Sequence, residues 1–126
     1  VAPAPIENKL STHSAIEACC VAGANLPQPF AMLMLNADIA KACAENAEKR
    51  AELTASLAAH LDTVNAQLNE HEQLDFLAVV PEQWTVENNF ITPTMKVKRP
   101  VIESSYAQHF EGWAQRKKAV IWHGSA

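Results

Sequence analysis

Glycine is scarce in this chain, with three in 126 residues, and neither a G-x-G-x-x-G nor a Walker-type pattern occurs. A phosphate-cradling glycine loop is therefore excluded, and a Rossmann sheet with it. Long apolar runs are missing as well. The longest, around Phe30 to Leu35, falls far short of the roughly 20 residues a bilayer-spanning helix needs, and reads as a strand. No basic patch followed by an apolar stretch opens the chain, so no secretory leader is expected. A start at Val1-Ala2-Pro3 without methionine leads to the expectation of a piece cut from something longer. Cysteine is sparse and odd in number, at positions 19, 20 and 43, with no C-x-x-C. That is a poor disulfide framework and favours a reducing, cytoplasmic setting, with Cys19 and Cys20 as small core hydrophobes. The histidines at 13, 60, 71, 109 and 123 form no H-E-x-x-H pair, and His71-Glu72 lacks a second histidine at helical spacing, so no metal site is expected. No G-x-S-x-G surrounds any serine; Ser104 and Ser105 read as surface residues.

What is present describes one ordinary globular domain: 48% hydrophobic and 19% charged residues, enough for a single core. The net charge of −4 is unevenly spread. Residues 1–95 carry 4 basic and 12 acidic side chains, whereas residues 96–126 carry 6 basic and 2 acidic. The acidic bulk argues against nucleic acid, which needs a broad cationic face. The positive final quarter suits a local anion such as a phosphate, although Arg116, Lys117 and Lys118 are read as favouring a helix C-terminus.

Patterning sets the elements. Pro5 to Leu10 predicts a short helix, Ile16 to Ala22 a buried strand ending at Gly23, and Leu26 to Pro29 a loop. Phe30 to Leu35 is a second strand. Asp38 to Asn46 is a separate helix or part of the next, in which Leu53, Leu57, Leu61, Val64 and Leu68 share one face. On that helix Glu48, Lys49, Arg50 and Glu52 are expected on a solvated face. Leu74 to Val80 predicts a third strand stopped by Pro81, and Glu87-Asn88-Asn89 a hairpin turn between Trp84-Thr85-Val86 and Phe90-Ile91-Thr92. Trp84 is assigned to the core. A last helix follows Pro100, with Ile102, Tyr106, Phe110 and Trp113 on one face. The class is α+β: a small three-stranded sheet plus a β-hairpin, packed with helices, one of them long.

The most unusual stretch is Phe90-Ile91-Thr92-Pro93-Thr94-Met95-Lys96-Val97-Lys98-Arg99, where polar threonines lead into a basic cluster just before a helix. Two readings stand on chemistry alone. Solvated lysines and arginines are the commoner fate; an anion site beside a helix N-terminus is the sharper one.

The same stretch resembles the C-terminal signature P-K-T-x-S-G-K-x-x-R of the adenylate-forming superfamily of acyl-CoA synthetases, luciferases and peptide-synthetase adenylation domains. Thr92 takes the threonine, Thr94 the serine, Lys96 the lysine and Arg99 the arginine. Met95 replaces the family glycine, and Ile91 departs from the opening proline-lysine pair. Thr85-Val86-Glu87-Asn88 followed by Thr92-Pro93-Thr94-Met95-Lys96-Val97-Lys98-Arg99 is similar to the T-x-E-N…T-P-T-x-K-x-K-R variant of the long-chain fatty acyl-CoA ligase branch. Val1 to Glu7 looks like the V-S-P-x-E-I-E segment after the interdomain hinge, and Ile16 to Gly23 like the E-A-A-V-V-G strand. The tail from Ala119 is not diagnostic.

The resemblance implies a single C-terminal lid domain, residues 1–126, of a larger enzyme whose N-terminal ATP- and acyl-binding domain is absent. A fatty acid, ATP and CoA would become acyl-CoA, AMP and pyrophosphate. Lys96 would be the adenylation lysine, with Thr92, Thr94, Lys98 and Arg99 in the nucleotide or phosphate vicinity. The lid would swing to allow thioester formation. ATP, CoA and Mg²⁺ would serve the full enzyme and none would be bound by this part alone. The missing domain is the implied partner. No transmembrane segment is expected, and the location is cytoplasmic, with attachment at the inner face of the membrane as a variant. The rival from another class is a stand-alone, non-catalytic interaction module using the leucine face of the long helix.

Overall fold

The computed structural model describes residues 3–23, 28–80, 83–94, 96–116 and 118–122. Leu26, Pro27, Pro81, Met95, Lys117 and the residues beyond Trp122 lie outside that description, as does the opening Val1-Ala2.

Alternation along the strands builds the molecule. Strands β1 (Ile16–Ala22), β2 (Phe30–Leu35), β3 (Leu77–Val80) and β4 (Val120–Trp122) form one mixed sheet in the order β1-β2-β3-β4. β1 pairs antiparallel with β2, whereas β2–β3 and β3–β4 are parallel. Both parallel steps are bridged by helices. α2 (Ala37–Glu45) and α3 (Ala47–Asn65) link β2 to β3, and α4 (Arg99–Gln115) links β3 to β4. Because successive side chains point to opposite faces, each strand feeds two cores. On one face Cys19, Val21, Leu33, Leu77 and Val79 meet Ile6 and Leu10 of α1 (Pro3–Leu10) and Leu57, Leu61 and Val64 of α3. On the other, Cys20, Phe30, Met32, Ala78 and Ile121 meet Ile102, Tyr106 and Trp113 of α4, together with Trp84 and Ile91. The α+β class is as expected, and three layers result.

The details depart from expectation in four places. The sheet has four strands, because Val120-Ile121-Trp122 pairs with β3. β3 begins at Leu77, since the backbone before it is used elsewhere: the Leu74 N–H donates to Asn65 Oδ1 and the Asp75 N–H to the Pro29 carbonyl. Residues 84–86 form no strand. Arg50 leaves the solvated face, its guanidinium lying 5.2 Å from the Trp122 ring centre, while Trp122 Nε1 donates to Thr54 Oγ1 at 2.8 Å. These contacts tie β4 to α3.

Asparagines punctuate the helices. Asn36 Oδ1 accepts from the Asp38 N–H and caps α2. Asn46, in extended conformation, ends α2 and caps α3 by accepting from the Glu48 and Lys49 N–H groups. The alanine-rich segment is thus a separate helix.

Cys19 and Cys20 sit on opposite faces of β1, and all three cysteines are free. Burial pushes the Cys19 thiol up to about 11 and the Cys20 thiol up to about 12. Both are therefore protonated and poorly nucleophilic at neutral pH. Alkylation of the native chain at pH 8, read by peptide mass mapping, should leave both intact, whereas denaturant should open all three cysteines. Rapid native labelling of Cys19 or Cys20 would contradict this burial.

Candidate functional site: a tied loop carrying Lys96

The segment between β3 and α4 is held by a turn centred on Asn88. The Thr85 N–H donates to Asn88 Oδ1 at 3.0 Å and the Asn88 N–H donates to Thr85 Oγ1 at 3.1 Å. Such reciprocal side-chain-to-backbone bonds lock four residues without a ladder. Asn88 also donates through Nδ2 to the Gln83 carbonyl at 2.8 Å and accepts from the Phe90 N–H. One asparagine side chain thus ties three residues, Gln83, Thr85 and Phe90. Its flanks are anchored in the core by buried Trp84, whose N–H donates to Met34 Sδ, and buried Ile91. Asn89, at φ 68°, turns the chain back in the left-handed region that asparagine tolerates.

The hairpin expected around residues 87–89 is displaced by a few residues. Its arms are 90–92 and 96–98. The Lys98 N–H donates to the Phe90 carbonyl at 2.8 Å, the Thr92 N–H donates to the Lys96 carbonyl at 2.8 Å, and Ile91 bridges Val97 antiparallel between them. Ile91 and Val97 turn inward. Thr92 Oγ1 lies 2.9 Å from Thr94 Oγ1 and accepts from the Lys96 N–H at 3.1 Å. The two threonines therefore draw the loop closed around Pro93. Lys96 emerges from it solvent-exposed, and among the described residues nothing pairs with its ammonium.

Lys98 and Arg99 are engaged differently. Lys98 Nζ donates to Asn89 Oδ1. Arg99 Nη2 lies 2.7 Å from both oxygens of Glu7, and Glu7 Oε2 also accepts from the Val21 N–H at 2.8 Å. Burial works against the guanidinium charge, but Glu7 outweighs it and the Arg99 pKa is raised. Arg99 consequently ties the start of α4 to α1 and β1. The structure brings Thr92, Thr94 and Lys96 together, sets Lys98 on the Asn89 turn, and directs the Arg99 guanidinium to Glu7.

A cleft of about 450 Å³ lies behind the hairpin, floored by Met34, Trp84, Ile91 and Val97. Glu17 and Asp38 line it as well, which makes this cleft unfavourable to an anion.

Residues 1–117 match the model of the AMP-binding enzyme C-terminal domain. The chain belongs to this family. It is 26% identical to the long-chain-fatty-acid–CoA ligase FadD15 of Mycobacterium tuberculosis (strain ATCC 25618 / H37Rv), over 88% of this chain and 20% of that protein. FadD15 of Mycobacterium bovis matches identically, so the chain spans about a fifth of the length of these curated relatives. Among solved structures, the adenylation domain of the carboxylic acid reductase from Segniliparus rugosus, in complex with AMP and a co-purified carboxylic acid, superposes with a TM-score of 0.72. It does so at 16% identity, over 92% of this chain and 18% of that one. The adenylation domain of the Mycobacterium chelonae carboxylate reductase gives 0.71 at 18% identity, over 87% and 17%. These likenesses establish the fold.

Within the loop the Thr92 and Lys96 N–H groups and both threonine hydroxyls are engaged in internal bonds, and the Lys96 side chain is exposed. Among the described residues no group of three His, Cys, Asp or Glu side chains could hold a metal, and the loop provides no carboxylate pair. The Mg²⁺ implied by the resemblance does not fit these residues. Sequence reading missed Asn89 and Glu7 as partners of the basic cluster. The Glu7–Arg99 contact spans 92 positions and leaves no local pattern. The Asn89–Lys98 link, nine residues long, was within reach once Asn89 had been read as a turn residue.

Proposed function

We propose that this domain is the C-terminal lid of a long-chain fatty acid–CoA ligase and delivers Lys96 to the reacting carboxylate and ATP α-phosphate. One observation carries the reading: an exposed lysine with an unengaged ammonium leaves a loop closed by two threonine hydroxyls, in an AMP-binding enzyme C-terminal domain. A carboxylate oxygen attacks the α-phosphorus, the bond to pyrophosphate breaks, and acyl-AMP results. The CoA thiol then displaces AMP. Two anions meet in the first half-reaction while charge builds on the phosphate oxygens. A compact ammonium on a flexible stem can donate to both. Thr92 and Thr94 hold the loop and face the phosphate vicinity; Lys98, held by Asn89, and Arg99, paired with Glu7, flank it.

The lid swings away for the thioester step, when the lysine is no longer needed. The acyl preference follows the likeness to the FadD15 ligases. Substrate and nucleotide pockets belong to the preceding domain, and the reaction takes place on the cytoplasmic side. The interaction-module rival loses support because Leu57, Leu61 and Val64 of the long helix are buried against the sheet. The whole polypeptide should convert a long-chain fatty acid, ATP and CoA to acyl-CoA, whereas residues 1–126 alone should not. Micromolar ATP binding by the isolated chain in a calorimetric titration would overturn this division of labour.

A further inference from the structure

We infer that Lys98 is a positioning residue whose ammonium latches onto Asn89 and fixes the arm from which Lys96 projects. The catalytic consequence rests on the function proposed above; the latch itself does not. Residues 96 and 98 lie two apart on one arm of the hairpin, so both lysines share the face opposite Val97. Two free ammoniums about 7 Å apart would offer a phosphate two registers. The structure breaks that tie. Lys98 is half-buried and fastened twice, through its N–H to the Phe90 carbonyl and through Nζ to Asn89 Oδ1. Lys96 is fastened only through its backbone, to Thr92, which leaves its exposed side chain available.

The acceptor is fixed in turn. Asn89 follows the Asn88 side chain that ties Gln83, Thr85 and Phe90, and its φ of 68° aims the amide from a turn with little freedom. The turn residues and the K-x-K pair thus form one device: the turn holds Asn89, Asn89 holds Lys98, and Lys98 sets the arm. A cationic side chain used internally cannot also follow the substrate. This gives the second lysine a role that gap-free matching to the family signature leaves open.

Two measurements test this. In the 126-residue chain, backbone ¹⁵N relaxation at Thr92, Thr94 and Lys96 should show order parameters near the rigid value of about 0.85, falling toward about 0.6 in Lys98→Met and in Asn89→Gly. Glycine accepts the positive φ, so the second variant removes the acceptor while keeping the backbone. Asn89→Asp keeps an acceptor and should restore the order. In the whole polypeptide, Lys98→Met should lower kcat for fatty-acid-dependent pyrophosphate exchange about 10- to 100-fold through misplacement, with KM for ATP shifting less than about twofold. The double variant Asn89→Gly/Lys98→Met should be no worse than either single one. Unchanged order in Lys98→Met overturns the latch. So does a rise in KM for ATP as large as the fall in kcat, which would make Lys98 a phosphate ligand. Absence of exchange by the unmodified polypeptide would instead overturn the proposed function, and the relaxation data would still decide the latch.

Discussion

On the proposed function, Lys96→Ala should lower acyl-adenylate formation by the whole polypeptide about 10²–10³-fold, the scale of deleting one preorganised donor to a developing oxyanion. The expectation follows from where the side chain stands. Lys96 is exposed and no described residue pairs with its ammonium, so truncation removes no internal contact and stability should move by no more than about 0.5 kcal/mol. The loop keeps its shape, since its bonds run through the Lys96 backbone and the two threonines. The loss should appear in kcat for pyrophosphate exchange. Thioester formation from supplied acyl-AMP and CoA should proceed nearly unimpaired, because the phosphoanhydride is already broken there. Lys96→Arg should not restore the rate, for a planar guanidinium cannot replace a compact ammonium between two oxyanions. Exchange at full rate in Lys96→Ala would remove the mechanism.

Much of this arrangement was legible in the residues, for identifiable reasons. Strand β2, and β1 from Cys19 to Ala22, are buried on both faces and read as apolar runs bounded by Gly23 and Asn36. The buried positions of α3 and α4 repeat at helical spacing. Lys96 is singled out by a motif whose two threonines make the bonds that close its loop. What escaped detection was non-local or brief. β4 has three residues and no alternation to read, and it becomes a strand only because β3 lies alongside. The hairpin was placed too early because Asn88 and Asn89 carry turn chemistry. That chemistry serves an isolated side-chain-locked turn, and the paired arms start just after it. The sequence places Arg99 in the phosphate vicinity but carries no local sign that its guanidinium pairs with Glu7 on the first helix.

Phe30→Ala should have the opposite signature, large in stability and small in chemistry. Phe30 starts β2 on the face toward α4 and is wholly buried. Its ring stacks on Phe76 at 4.6 Å between centres and meets Phe110 edge-on at 4.8 Å and Trp113 at 6.1 Å. Gly23 lies close enough that a Cβ there would come within 2.9 Å of Phe30 Cδ1, which accounts for glycine at the end of β1, where φ is also 98°. Neighbours on this many sides cannot all collapse inward, so truncation should leave most of its cavity and cost about 3–5 kcal/mol. For a domain of this length that is on the order of a 10–20 °C fall in Tm, and a large share of the roughly 5–15 kcal/mol a typical domain holds. Thermal unfolding of the chain followed by circular dichroism gives the value; a fall below about 3 °C would show that this core repacks freely. In the whole polypeptide, the fraction that remains folded should still perform exchange, because the Phe30 ring lies in the core beneath α4 and makes none of the bonds that close the Lys96 loop. Lys96→Ala and Phe30→Ala thus separate delivery of charge from support of the platform that delivers it. A polypeptide in which both changes produced the same folded, exchange-dead enzyme would show the loop and the core to be one mechanical unit, contrary to the local tethering seen between residues 83 and 98.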